Sequence, residues 1–176
     1  MDTTLSTEIT PAHYRKVLGR LPTGVVAITG VNNEDEQLGL IVGTFQSLSL
    51  DPPLVMFCVD KSSSTWPKLR NLQNFTANIL SEGQVEVCRA LSRKGPKKFE
   101  GLPYTPGPLG TPRLDGASAW IDCVVTAEVA VGDHYMVVGA VSAMEEGSGD
   151  ALLFKGGAFG QYLGHPVLIP ATTTEK

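Results

Sequence analysis

Six or seven runs with the residue pattern of β-strands, separated by Gly- and Pro-rich turns, restrict the fold of this 176-residue chain more than any other feature. The runs cover residues 24–29, 38–50, 54–59, 75–80, 120–131, 134–144 and 151–156. The 19 Gly and 12 Pro agree with a chain of many turns. Because an open sheet leaves unpaired backbone groups at its edges, so many strands with few helices favour a closed or nearly closed barrel.

Helices are expected only at the periphery. Thr10 and Pro11 have the residue types of an N-cap and first helical position, and apolar residues recur at helical spacing up to Leu21, which predicts an amphipathic helix laid on the domain. Short helices are predicted around residues 65–72 and 83–91. Residues 94–117, with five Pro, are predicted to form a long irregular loop of functional or interface type. We expect one domain over residues 11–165, with tails at 1–10 and 166–176.

Composition excludes several classes of function. The net charge of -4 gives no broad basic surface, so neither nucleic acid nor a membrane is an expected partner. Cys58, Cys88 and Cys123 lack metal or disulfide spacing and are expected to be reduced thiols. His13 and His165 are isolated, so no metal site is expected. With no basic, apolar leader and no apolar run long enough to span a bilayer, a cytoplasmic location is expected.

The run from residue 38 to 50 has two different faces if it is one bent strand. One face is apolar, and consists of Leu38, Leu40, Val42, Leu48 and Leu50. The other is mostly small, and consists of Gly39, Ile41, Gly43, Phe45, Ser47 and Ser49. Glycines on one face let a flat ligand approach the main chain, but they are also typical of a β-bulge needed for barrel closure.

The following segment, "KSSSTWP", has the residues of a phosphate site. Pro67 suits the first turn of a helix, which leaves the preceding amides without helical acceptors, while Ser64 and Thr65 add hydroxyls and Lys61 adds charge. The alternative is that Ser64 or Thr65 only caps the helix. A face for a flat ligand followed by a phosphate site indicates a mononucleotide cofactor, for which flavin is the obvious candidate.

Five segments in this order resemble the flavin reductase family. They are "SLSLDPPLV", "FTANILSEGQ", "KKFEG", "GDHYMVVGAV" and "LLFKGGAFGQY", and the resemblance covers about residues 11–163. It implies a β-rich split barrel of the Greek-key, FMN-binding type with short peripheral helices. It also implies an NAD(P)H-dependent flavin reductase that reduces FMN or FAD by hydride transfer from NADH or NADPH. Such a reductase is a homodimer that supplies reduced flavin to a partner monooxygenase.

The resemblance also implies positions for the cofactor. The ring edge would meet the main chain of Ile41, Val42, Gly43, Thr44 and Phe45, with Ser47 and Ser49 nearby. The phosphate would lie at Lys61, Ser62, Ser64 and Thr65. The ribityl and phosphate side would be lined by Asn78, Leu80, Ser81 and Gln84, and Lys98 with Phe99 would close over the cofactor.

Two residues depart from the family pattern. Ile41 stands where many members have Thr, and Gly43 replaces a polar side chain, so contacts to the ring edge would come from backbone amides.

His134, in "GDH", is the predicted catalytic residue that meets the nicotinamide donor, with Asp133 orienting it; an exposed hairpin histidine is the alternative. Two other functions stay open: a split-barrel flavoprotein with tightly held flavin that reduces another acceptor, and a non-catalytic flavin-binding barrel. Trp66 and Trp120 are expected to be core or interface aromatics.

Overall fold

A computed structural model describes residues 9–95 and 97–164. The predicted tails fall almost wholly outside this range, as does His165. The helices are α1 (Pro11–Leu18), α2 (Trp66–Leu69) and α3 (Val85–Ser92). The strands are β1 (Thr23–Gly24), β2 (Val26–Val31), β3 (Gln37–Val42), β4 (Gln46–Ser49), β5 (Leu54–Asp60), β6 (Asn74–Ile79), β7 (Tyr104–Pro106), β8 (Pro112–Leu114), β9 (Ala119–Val131), β10 (His134–Glu146), β11 (Leu153–Lys155) and β12 (Ala158–Gly160).

A seven-stranded antiparallel sheet forms the body of the molecule, in the order β3-β2-β6-β9-β10-β5-β4. Its longest strands, β9 and β10, are joined by the turn at Gly132 and Asp133, where Gly132 has a φ of +56° that favours glycine. β11 and β12 form a hairpin that pairs with β1, where the sequence predicted a single closing strand. The prediction of a β-rich split barrel is confirmed.

The predicted strand over residues 38–50 is two strands. β3 ends at Val42 and lies at one edge of the sheet, whereas β4 lies at the opposite edge beside β5. The sheet must therefore curl until residues 43–45 can link its two edges. Thr44 fixes this link, since its Oγ1 accepts from the amide of Cys58 at 2.8 Å and donates to the carbonyl of Cys58 at 3.1 Å.

The bend changes which residues share a face. Leu38, Leu40 and Val42 are buried as predicted, but Leu48 and Leu50 are exposed. Phe45 packs against the same core as Leu40, not on the face of Ile41. The alternation that the sequence suggested holds along β3 and is lost beyond Gly43, because the chain changes direction there.

Two cores lie on the two sides of β2. Val26 and Ile28 point into the barrel interior with Phe57 and Phe75, whose rings pack edge to face 5.4 Å apart. Val25 and Ala27 point to a second core beneath α3. This burial on both faces explains why β2 reads as a continuous apolar run.

Trp66 and two of the three cysteines are buried in the cores, as the sequence predicted. Trp66 packs edge to face on Phe57 in the first core, and its Nε1 donates to Glu128 at 2.9 Å. Cys88 and Cys123 are free thiols packed in the second and first core respectively, and burial raises the pKa of Cys123 to about 12.

α1 begins as predicted but is not packed as predicted. Thr10 is its N-cap, with Oγ1 accepting from the amide of His13 at 3.2 Å. None of its residues is buried, and Tyr14, Val17 and Leu18 are each more than half exposed. The expectation that this helix covers the domain with its apolar face is therefore wrong for the single chain. None of the helices in the described part of the chain is long and apolar enough to span a bilayer.

The predicted irregular loop at 94–117 contains an ordered hairpin, β7–β8, which packs on the sheet. Arg113 donates from Nη2 to the fully buried carboxylate of Asp122 at 2.6 Å, and Thr76 donates to the other oxygen of Asp122 at 2.7 Å. Thr76 also shares a hydrogen bond of 2.6 Å with Thr111. The hairpin is thus held to the sheet by buried polar groups that all have partners.

Candidate functional site

The turn of residues 61–65 after β5, which we call the serine turn, contains two hydroxyls that make no capping bond to α2, those of Ser64 and Thr65. Thr65 occupies the N-cap position of α2, but the Oγ of Ser63 accepts from the amide of Trp66 at 3.2 Å instead. The backbone amides of Ser64 and Thr65 find no acceptor within residues 9–95 and 97–164. Since α2 is a single turn with Pro67 in it, its dipole adds little, and the hydroxyls and amides of the turn are the groups offered to a ligand.

These groups and Lys98 line a first cavity, of about 290 Å³, which we call the phosphate-sized cavity. Lys98 Nζ donates to Thr65 Oγ1 at 2.9 Å and lies 3.5 Å from the carbonyl oxygen of Gly39. Burial lowers the pKa of Lys98 below its ordinary value, because the charged ammonium loses solvating water there. A half-buried cation beside two hydroxyls and free amides is chemically suited to a phosphate group. The cavity is too small for a whole nucleotide cofactor, so it fits one end of it.

A second cavity, of about 220 Å³, opens at the other end of β3. Its walls are largely apolar and consist of Thr23, Gly24, Val25, Ile41, Val42, Gly43, Cys88, Ser92, Phe154 and Phe159. A Cβ added to Gly24 would meet nothing within 4 Å, whereas one added to Gly43 would lie 2.9 Å from Thr23 Oγ1. The main chain of Gly24 is thus open to an approaching planar group.

Gly39 is not open in the same way. A Cβ there would lie 2.7 Å from Cε2 of Phe99 and 2.9 Å from Cδ2 of Leu91. The glycine makes room for the chain's own phenyl ring, which also packs edge to face on Tyr104. The expectation that Gly39 presents bare backbone to a flat ligand is therefore wrong for this structure. Phe99 does lie over β3, next to the Lys98 that points into the first cavity.

Several residues predicted to contact the cofactor are engaged elsewhere. Asn78 is fully buried between strands: its Nδ2 donates to Thr29 Oγ1 at 2.9 Å and its Oδ1 accepts from the Leu114 amide at 2.7 Å. Leu80 is fully buried in the second core. Both side chains are thus withdrawn from any surface that a ligand could reach.

Ser81 and Gln84 form a local turn at the start of α3. The side chain of Gln84 accepts from the Ser81 amide at 3.0 Å and donates to the carbonyl of Asp115 at 3.0 Å, so it stabilises the fold. Ser47 and Ser49 lie on the edge strand β4, away from both cavities.

Lys61 and Ser62 belong to the serine turn but do not line the phosphate-sized cavity. Lys61 Nζ donates to the carbonyl of Gly132 at 2.6 Å, and the Ser62 amide donates to Asp60 Oδ1 at 2.7 Å. This second bond is the main cause of the lowered pKa of Asp60. Lys61 thus ties the serine turn to the β9–β10 hairpin, whereas Ser62 closes the turn locally against the end of β5.

His134 lies at the start of β10, opposite Asp60 on β5. Its Nδ1 is 2.7 Å from Oδ1 of Asp133, and this hydrogen bond is the main cause of the lowered pKa of Asp133. The histidine therefore lies at the rim and is held by its neighbour, an arrangement that both the predicted contact with nicotinamide and the alternative of an exposed hairpin histidine allow. It lines neither of the two cavities described above. Within residues 9–95 and 97–164, no three His, Cys, Asp or Glu side chains are grouped to hold a metal ion.

Two charged residues at the mouth of the phosphate-sized cavity are not predictable from the sequence. Glu36 and Lys68 form an ion pair of 3.4 Å there. They are 32 positions apart and each reads as an ordinary surface residue, so only the packing of α2 against β3 brings them to the cavity. No motif could have found them.

The fold and the cavities define a split-barrel protein with a cationic, hydroxyl-lined site at one end of β3 and an apolar site at the other. The family model for the flavin reductase like domain matches residues 18–162. The chain belongs to this flavin reductase family, and it is an oxidoreductase.

Individual relatives agree with this assignment. The chain is 43% identical over 155 residues to a flavin reductase of Pseudomonas putida, which covers 88% of this chain and 91% of that protein. It is 39% identical over 142 residues to HsaB, a flavin-dependent monooxygenase reductase subunit of Mycobacterium tuberculosis, with 81% and 75% covered.

Solved structures share the fold. Nitrilotriacetate monooxygenase component B from Mycobacterium thermoresistibile superposes with a TM-score of 0.82 at 37% identity, covering 86% of each chain. The NADH:FAD oxidoreductase of Streptomyces globisporus C-1027 superposes with a TM-score of 0.82 at 29% identity, covering 89% of this chain and 97% of that one.

Proposed function

We propose that this protein is an NAD(P)H:flavin oxidoreductase that reduces FMN or FAD and supplies the reduced flavin to a partner monooxygenase. The observation that carries the proposal is the pair of sites at the two ends of β3. At one end the site has the ammonium of Lys98 and the hydroxyls of Ser64 and Thr65. At the other end it has the apolar walls around Ile41 and Gly43.

The spacing of the two sites suits a flavin nucleotide. Gly39, which lines the first cavity, and Gly43, which lines the second, are four residues apart on the strand, or roughly 13 Å at the rise of a β-strand. A ribityl chain can bridge such a gap between a ring and its phosphate. Phe99, which covers β3 between the two cavities, would have to pack against that chain or move aside for it.

The chain's own groups would bind and orient the cofactor. The amides of residues 41–45 would meet the polar edge of the ring, while Ser64, Thr65 and Lys98 would hold the phosphate through charge-assisted hydrogen bonds. Bound flavin supplies the hydride chemistry that no side chain here provides. His134, held by Asp133 at the rim, is proposed to contact the nicotinamide of the donor.

We also propose a homodimer and an oxygenase partner. The exposed apolar side chains of α1 are available for burial against a second copy. Relatives include the reductase component of a flavin-dependent trigonelline monooxygenase and the reductase subunit of a stachydrine N-demethylase.

A steady-state survey tests the activity. The purified chain is assayed for oxidation of NADH and of NADPH with added FMN, FAD or riboflavin, and its flavin content is measured first. A colourless protein that oxidises the nicotinamide only with added flavin supports the proposal. A yellow protein with one flavin per chain that reduces another acceptor supports the tightly bound alternative, and no oxidation with any flavin indicates a non-catalytic barrel.

The binding mode has a separate test. Changing Ser64 and Thr65 together to Ala should weaken FMN binding, since each lost hydrogen bond to a charged phosphate is worth about 1.5–3 kcal/mol. Riboflavin, which has no phosphate, is the matched control and should bind as before. An unchanged dissociation constant for FMN would reject the phosphate site.

A further inference from the structure

The phosphate-sized cavity has a carboxylate at its mouth. Glu36 lines it, and its Oε2 lies 3.4 Å from Lys68 Nζ. A cavity built only to attract anions would not include a carboxylate, because like charges repel. The presence of Glu36 therefore needs an explanation in terms of which anion the cavity accepts.

Glu36 is held in place independently of Lys68. Asn32 Nδ2 donates to the same Oε2 at 3.0 Å, and Asn32 Oδ1 accepts from the backbone amides of Glu34 and Glu36 at 2.9 and 2.8 Å. These bonds organise the turn between β2 and β3. The carboxylate is thus fixed by the hairpin and would not swing away when an anion arrives.

The charges divide the cavity into two parts. Lys98 is half-buried beside the buried Thr65 and is not paired with a carboxylate among the described residues, whereas the exposed Lys68 is neutralised by Glu36. A single terminal phosphate finds cation and hydroxyls at the inner end. A second phosphate attached on the outer side would meet Lys68 already paired with Glu36, so it would gain no net attraction there and would lie close to a like charge.

We propose that Glu36, acting with Lys68, makes the cavity selective for a single terminal phosphate, so that the protein binds FMN in preference to FAD. This inference rests on the proposed flavin reductase function and adds the choice of flavin to it. Glu36 determines specificity and takes no part in the hydride transfer itself.

The test compares dissociation constants for FMN, FAD and riboflavin, measured by quenching of flavin fluorescence on the purified full chain freed of flavin. Wild type should bind FMN about tenfold more tightly than FAD, the size expected for one like-charge contact near a protein surface after screening. Glu36→Gln keeps the shape and the bond to Asn32, and should remove most of that difference by strengthening FAD binding. Glu34→Gln is the matched control, because it removes the same charge from the same turn at an exposed residue that does not line the cavity.

Two results would overturn the inference while leaving the proposed function intact: FAD binding as tightly as FMN in wild type, or equal shifts in Glu36→Gln and Glu34→Gln. Failure of every flavin to bind would instead reject the proposed function, and the inference with it. Unfolding curves for both variants should overlay that of wild type, which ensures that the affinities refer to folded protein.

Discussion

Replacing Lys98 by Met tests the centre of the proposed site. Methionine keeps most of the apolar stem and removes the ammonium that lies 2.9 Å from Thr65 Oγ1 inside the cavity. Removing a hydrogen bond to a charged group costs about 1.5–3 kcal/mol. At about 1.4 kcal/mol for each factor of ten, FMN should bind roughly 10- to 150-fold more weakly.

The assay is a fluorescence titration with FMN and, in parallel, with riboflavin. Lys97→Met is the matched control, because Lys97 precedes Lys98, is exposed, and makes only a surface pair with Glu100 at 3.6 Å. Lys97→Met should leave both affinities within about twofold, as expected for a surface pair. Lys98 does not bind the phosphate if Lys98→Met leaves FMN binding unchanged, or if it weakens riboflavin binding as much as FMN binding.

The lowered pKa of Lys98 adds a dependence on pH. A bound phosphate favours the ammonium and raises this pKa again, so binding takes up a proton between the lowered pKa and the ordinary lysine value of 10.5. FMN binding should therefore weaken as pH rises through that window. The ligand-free protein should become more stable over the same window, because the unfolded chain binds the proton that the folded one has lost. Lys98→Met should flatten both profiles, whereas Lys97→Met should retain them.

Two further changes test the fold and the donor site. Arg113→Met leaves the buried carboxylate of Asp122 without its cation. Urea denaturation should show that the free energy of unfolding falls by about 3–5 kcal/mol. A loss below about 1 kcal/mol would mean that water or another group compensates the charge of Asp122. The exposed Arg89 is the control, and Arg89→Met should change stability by no more than about 0.5 kcal/mol. His134→Ala should slow flavin reduction by NADH in stopped-flow measurements more than it weakens flavin binding, and the reverse order would exclude the proposed contact with nicotinamide.

The strands could be predicted from the sequence because their signal is local. Alternating or continuous apolar runs located β2, β5, β6, β9 and β10 with small errors in their bounds, and Thr10 with Pro11 located the start of α1. The strand prediction is wrong where tertiary contacts override the local sequence pattern. The residues around Gly43 read as one strand with β3 and β4, yet barrel closure needs the chain to cross there from one sheet edge to the other.

The candidate site was predictable only in part, for the same reason. A hydroxyl-rich turn is visible in the sequence and predicts Ser64 and Thr65 as ligands, and both residues line the phosphate-sized cavity. The prediction that Asn78 contacts the cofactor is wrong, because its fully buried amide hydrogen-bonds to Thr29 and Leu114 on two other strands. The sequence does not show which polar side chains form such buried hydrogen bonds with distant segments.

The sequence by itself determined the strand content, the flavin reductase family and the serine turn, because these depend on residue types close together along the chain. Only the tertiary structure decided that Lys98 shares a cavity with Thr65, that Phe99 covers Gly39, and that a carboxylate stands at the cavity mouth. Each of these depends on distances between segments far apart in sequence. Those distances are set by how the barrel closes, and no local pattern encodes them.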